Sequence, residues 1–198
     1  MKIFQFETAA RQMLTGNVLL ILCCACYLLW WLIAFRPSGH LDTINTRWIL
    51  IPAFALGLTS IFVTLYGIRK ADIRQILIPK DWILWGGIGA YVVLLIVTYV
   101  FFHRPVTTEL LLIVGWAMLA LAEINALYGM DVFSRKTAVI FCLITAAAVL
   151  GSLVCYVLYY RLGNTAGYID GIVPLVLAAA VFGVLAAAIA VAENGSAG

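Results

Sequence analysis

Six apolar stretches, each long enough to cross a membrane as a helix, constrain the fold of this 198-residue chain most strongly. A helix needs about 20 apolar residues to span the hydrocarbon layer of a bilayer. The stretches cover residues 17–35, 48–68, 82–102, 110–130, 138–160 and 172–192. They are longer than the alternating strands of a membrane β-barrel and apolar on every side, which favours helices. The sequence therefore predicts an all-α membrane protein with six transmembrane helices.

The composition excludes an ordinary water-soluble domain. Hydrophobic residues make up 65% of the chain and charged residues 11%, whereas a soluble domain carries about a quarter charged residues. A surface with so little charge requires an apolar solvent, so we expect the lipid bilayer to be the main partner. The formal net charge of +3 lies mostly in the connections between spans, and we expect no nucleic-acid binding.

The distribution of Lys and Arg predicts the orientation, because basic residues concentrate in short cytoplasmic connections. Eight of them lie at one end of the predicted bundle and four at the other. The larger group consists of Lys2, Arg11, Arg69, Lys70, Arg74, Lys80, Arg135 and Lys136. We therefore predict that both termini are cytoplasmic.

The chain divides into one membrane domain, residues 17–193, and two terminal segments. Residues 1–16 form either a short amphipathic helix on the inner membrane face or a frayed terminus, and residues 194–198 form a flexible tail. No small-residue cleavage site follows the first span, so we expect it to be retained as an anchor. Together these features predict a multi-pass protein of the cell membrane, inner or plasma.

The spans can be grouped as three hairpins, with an arginine where each outgoing helix ends. The second hairpin contains Trp82, Gly86, Tyr99 and the pair Arg104-Pro105. Duplication of a two-helix unit and convergent use of helix-terminating residues both explain this pattern. The arrangement resembles the HdeD type of six-helix bacterial membrane proteins, and the resemblance implies an association with acid stress. It brings no catalytic or binding motif with it.

Small residues recur every fourth position on two of the later spans. They allow close approach of helix backbones in lipid, where no hydrophobic force drives helices together. The ladder residues are Ala147 and Gly151 on the fifth span, and Ala179, Gly183 and Ala187 on the sixth. We expect them to pair these two helices within the chain, the alternative being a contact with another subunit.

Glu123 is the candidate site residue, because it lies within the fourth span roughly 10 Å from its cytoplasmic end. An ionised carboxylate at that depth costs several kcal/mol unless it is paired or hydrated. We expect Glu123 to face the bundle interior, with Ser60 or Thr64 of the second span at a similar depth and Asn125 pointing elsewhere. It is either a proton or cation site or a hydrogen-bonded acid that fixes helix packing.

Three arginines at the predicted outer ends of the hairpins form a second candidate. Arg36, Arg104 and Arg161 either extend into lipid headgroups or surround an outer vestibule that attracts anions. The sequence gives no reason to choose a specific anion.

Motifs of enzymes and of metal sites are missing from the sequence. It contains no G-x-S-x-G, no H-E-x-x-H and no glycine-rich phosphate loop. We expect no catalysis, no cofactor and no metal. Two functions stay open: a structural, stress-associated or complex-subunit membrane protein, as a homo-oligomer or with a membrane partner, and a small-solute channel or proton-linked transporter that uses Glu123.

Overall fold

A computed structural model of the chain describes residues 2–35, 46–102, 108–159, 162 and 164–196. Within these ranges all regular structure is helical. A 3₁₀ turn, Thr46–Ile49, precedes the second helix. The helices are α1 (Lys2–Ala34), α2 (Leu50–Lys70), α3 (Lys80–Phe102), α4 (Thr108–Gly129), α5 (Arg135–Tyr159), α6 (Asn164–Asp170) and α7 (Val173–Ser196).

The prediction of six transmembrane helices is confirmed for the described part of the chain. Helices α1 to α5 each contain one span of suitable length and hydropathy, and the short α6 and long α7 together provide the sixth. Large apolar side chains such as Phe62, Leu143 and Val191 are exposed on the outside of the bundle. In a bilayer these side chains contact lipid.

Helix α1 is longer than the sequence suggested. It runs for 33 residues without a break, or about 50 Å, so residues before the predicted span belong to the same helix. Ala9, Ala10 and Met13 are buried in the bundle. This extension also moves Asn17, the first residue of the predicted span, away from the helix end and into the buried part of α1. At the other terminus, α7 continues to Ser196 and so includes part of the predicted tail.

Helix α4 lies at the centre of the bundle and α3 at its edge. In α4, 56% of the residues of the most apolar segment are buried, compared with 6% in α3. Helix α4 packs on α3, α5, α7 and α2, while α7 also packs on α1 and α5. The core between these helices contains Met13, Ile124, Leu127, Phe182 and Leu185.

Helices α1 and α2 make the most extensive contact among the described helices. Glycines allow the two backbones to approach closely. A Cβ atom at Gly16 would overlap Thr64 Oγ1 and lie 3.1 Å from the Thr64 backbone nitrogen. A Cβ at Gly67 would lie 3.1 Å from the carbonyl oxygen of Ala9. Small residues therefore pair the first two helices, as expected for association in lipid.

The small-residue ladders of α5 and α7 are only partly used in the contact between these helices. A Cβ at Gly151 would lie 3.1 Å from Leu177, but the space beside Gly183 is open. Ala147 and Ala187 are exposed, and Ala179 is half-buried. The two helices do pack together, with larger residues such as Phe182 and Leu185 on the buried face of α7. The regular spacing of the ladder did not identify the contacting face.

The basic connection between α2 and α3 folds back onto the end of α4. The backbone nitrogen of Arg74 donates to the carbonyl oxygen of Gly129 over 2.9 Å, and a Cβ at Gly129 would lie 2.6 Å from Ile73 Cγ2. Asp131 follows with a positive φ of 63° and accepts a hydrogen bond of 2.8 Å from Gln75. This segment, residues 71–79, thus contacts protein along the predicted cytoplasmic end of α4.

Candidate functional site: the buried Glu123–Asn17 pair

Glu123 lies in the interior of the bundle, with none of its surface exposed. Its helical neighbours Ala120 and Leu127 are equally buried, and Trp116 is partly buried against the same core. The apolar outer face of α4 can contact lipid, whereas the contact of a carboxyl group with lipid has a high free-energy cost. The helix is accordingly rotated so that Glu123 points toward other helices.

The hydrogen-bond partner of Glu123 is Asn17 of α1. Asn17 Nδ2 donates to Glu123 Oε1 over 2.6 Å, and both side chains are fully buried. The two residues are 106 positions apart in the chain. Sequence reasoning missed Asn17 because the predicted first span begins at this residue, and the free-energy cost of a polar amide is small at the membrane boundary. The signal that could have identified Asn17 is its primary amide, which lies well inside a helix that begins at Lys2.

Ser60 and Thr64, the predicted companions of Glu123, instead face α1. Ser60 Oγ donates to the carbonyl oxygen of Gly16 over 2.7 Å, and Thr64 packs against the same glycine. Gly16 immediately precedes Asn17 in α1. The Ser60 hydroxyl therefore holds the backbone that carries Asn17, and the structure shows no hydrogen bond from Ser60 or Thr64 to Glu123.

Asn125 points away from Glu123, as the sequence analysis proposed, and it has a different partner. Its Oδ1 accepts hydrogen bonds from the backbone nitrogens of Leu77 and Ile78, at 2.9 and 3.1 Å. Asn125 is 2% exposed. It therefore fixes segment 71–79 to α4, two residues or about half a helical turn beyond the buried acid.

Four buried oxygen atoms near the contacts of α1 have no hydrogen-bond partner within the described structure. They are Gln12 Oε1, Asn17 Oδ1, Thr64 Oγ1 and Glu123 Oε2. Unpaired buried polar atoms are rare and costly. Two of the four belong to the Glu123–Asn17 pair itself, which identifies this pair as the place where a further bond is needed.

Arg36, Arg104 and Arg161 lie outside the described residues, and so does the outer vestibule that they would line. Across the ranges that the structure describes, no three His, Cys, Asp or Glu side chains are grouped so that they could hold a metal ion.

Comparison with known proteins found no matching family model, no matching curated protein and no matching solved structure. A carboxyl group and a primary amide can hold a proton or fix two helices, and neither group is a strong nucleophile.

Proposed function

We propose that this chain is a structural, complex-subunit type of polytopic membrane protein. The observation that supports it is the bond between Glu123 and Asn17, which uses the one buried acid of α4 to connect this helix to α1. Residues of both helices also belong to one apolar core, with Met13 and Leu127 among them. In this proposal the acid serves helix assembly, and the chain has no catalytic role.

The exposed face of α3 supports a role in association with a second membrane component. Two tryptophans in the first turns of α3, Trp82 and Trp85, are 75% and 67% exposed. They line a groove of about 290 Å³ together with Asp81 and Gly86. A Cβ atom added at Gly86 or at Gly89 would meet nothing within 4 Å. Such glycines allow another helix to approach closely in lipid.

Site-specific photocrosslinking in native membranes tests this proposal. A photoreactive residue replaces Val93, which lies one turn beyond Gly89 and is 58% exposed. The matched control replaces Leu143 of α5, which is also apolar and is 65% exposed. We expect a discrete crosslinked product from position 93 and none from position 143. Equal products at both positions, or none at either, would overturn the proposal.

A proton-linked transporter or small-solute channel is the second candidate. The unpartnered oxygens of Glu123 and Asn17 favour it, because a transporter needs a polar group that can change its state inside the membrane. Solute flux into reconstituted vesicles, driven by a pH gradient, tests this candidate. Flux that is present in the wild type and lost in Glu123→Gln would place it ahead of the structural role.

The association with acid stress stays a prediction from the HdeD-like arrangement of hairpins. It is compatible with either candidate. Growth of a deletion strain after acid challenge would test it independently of transport.

A further inference from the structure

We propose that Glu123 carries a proton in the folded protein and forms a cyclic, doubly hydrogen-bonded pair with Asn17. The pair is then a proton-binding site inside the bundle. Both residues belong to one folded chain, so proton binding by this pair does not depend on a membrane partner.

The hydrogen-bond donors and acceptors of Glu123 and Asn17 support the protonated state. One bond of the pair exists, from Asn17 Nδ2 to Glu123 Oε1. The two atoms left over, Glu123 Oε2 and Asn17 Oδ1, are both acceptors and both buried without a partner. A single proton on Oε2 can donate to Oδ1 and satisfy both atoms at once. A carboxylic acid and a primary amide are complementary in this way.

The other orientation of the Asn17 amide leads to the same protonated state. The amide group and Glu123 Oε1 approach to 2.6 Å. If the amide were rotated so that its oxygen faced Oε1, two oxygens would lie 2.6 Å apart. That separation also requires a proton between them, because two acceptors repel each other. Either orientation of the amide therefore favours the protonated acid.

Among the side chains that the structure describes, the buried polar and charged residues include no Lys, Arg or His that would stabilise an ionised Glu123. Helix α2 presents the hydroxyls of Ser60 and Thr64 toward the bundle. The buried polar group of α3 is the hydroxyl of Thr98, and the buried face of α7 is apolar, with Phe182 and Leu185. On α5, Tyr156 is buried near the opposite end of the bundle and the thiol of Cys142 is partly buried against the core, and neither is a cation. On α1 the fully buried polar residue is Asn17. A carboxylate with one neutral donor in such a place costs several kcal/mol.

Glutamine at position 123 is the informative substitution, because it copies the protonated acid. Its amide can donate to Asn17 Oδ1 and accept from Asn17 Nδ2, which gives the same cyclic pair without a titratable proton. The matched control is Glu109→Gln, since Glu109 lies on the same helix but is exposed at its beginning.

Infrared spectroscopy of the purified protein in lipid nanodiscs tests the proposal. At neutral pH we expect a carbonyl band of a protonated carboxylic acid in the wild type and in Glu109→Gln, and loss of that band in Glu123→Gln. Asn17→Ala should keep the band but move it to higher frequency, because the acid loses its acceptor. This second variant keeps the test decisive if Glu123→Gln folds poorly.

The pH dependence of thermal stability provides a second readout. The folded chain keeps this proton at pH values where a carboxyl group of the unfolded chain has already lost its own, above about 4.3. The melting temperature of the wild type should therefore fall as the pH rises above that value, until Glu123 itself ionises and the pair breaks. Glu123→Gln should lack that loss, and Glu109→Gln should behave as the wild type. The proposal is overturned if the wild type shows no acid band at neutral pH, or if Glu123→Gln leaves the band unchanged.

Discussion

At Gly16 the backbone of α1 lies directly against Thr64 of α2, next to the residue that binds Glu123. In Gly16→Ala the new methyl group would overlap the Thr64 hydroxyl and approach the Thr64 backbone nitrogen, so the helices must separate. We expect the free energy of unfolding to fall by about 1–3 kcal/mol, as for other over-packed interiors. The melting temperature in a mild detergent measures this loss.

Gly183→Ala is the control for this substitution. It changes a glycine inside another transmembrane helix, but a Cβ atom at Gly183 meets nothing within 4 Å. Alanine there should leave stability unchanged or raise it by up to about 1 kcal/mol, since glycine is the less favourable helix residue. If both variants lost the same stability, the close contact at Gly16 would not be the cause.

At the residue scale, the sequence predicted that Glu123 faces the bundle interior, because a carboxyl group deep in the membrane is costly against lipid whatever its partner is. It did not predict Asn17 as the partner, since that pairing depends on the rotation of two helices about their axes. The predicted direction of Asn125 agrees with the structure because helical geometry fixes the angle between residues two positions apart. Its two backbone donors in segment 71–79 could not be deduced, as loops carry no such periodicity.

Among the elements, segment 71–79 depends on Asn125 for its attachment to α4. Asn125→Ala removes the acceptor for the backbone nitrogens of both Leu77 and Ile78. Leaving such donors unsatisfied costs about 1–3 kcal/mol. We expect faster amide hydrogen exchange throughout the segment and faster tryptic cleavage after Arg74, with the transmembrane helices unaffected.

Gln75→Ala serves as the matched control for the attachment of this segment. Its hydrogen bond to Asp131 is exposed, so its loss should change exchange and cleavage far less than Asn125→Ala does. Equal exchange rates in the wild type and Asn125→Ala would show that the segment is held by its other contacts, such as the bond from Arg74 to Gly129.

The number of spans could be predicted from hydropathy, because a backbone that crosses lipid outside a closed β-barrel must be helical. The helix faces that contact one another could not be predicted in this way. The ladder containing Gly183 and Ala187 has the spacing typical of close helix contacts, yet much of it is exposed. Gly16 and Gly67 instead bring α1 and α2 together, although they do not belong to one continuous ladder. The spacing of small residues shows which helix faces permit close contact, and the packing of the neighbouring helices determines which of these faces is used.

For the whole molecule, six spans require that both termini lie on one side of the membrane, and the basic residues predict that this side is cytoplasmic. A fluorescent reporter fused after the last residue should therefore be active in the cytoplasm. A reporter that is active only outside, inserted in the connection between α3 and α4, should also be active, because three helices precede it. If both signals were reversed, the orientation would be wrong and the number of spans right. If the reporters lay on the same side, one of the last three spans would not cross the membrane, and if that span were α4, the burial of Glu123 against α1 would fail with it.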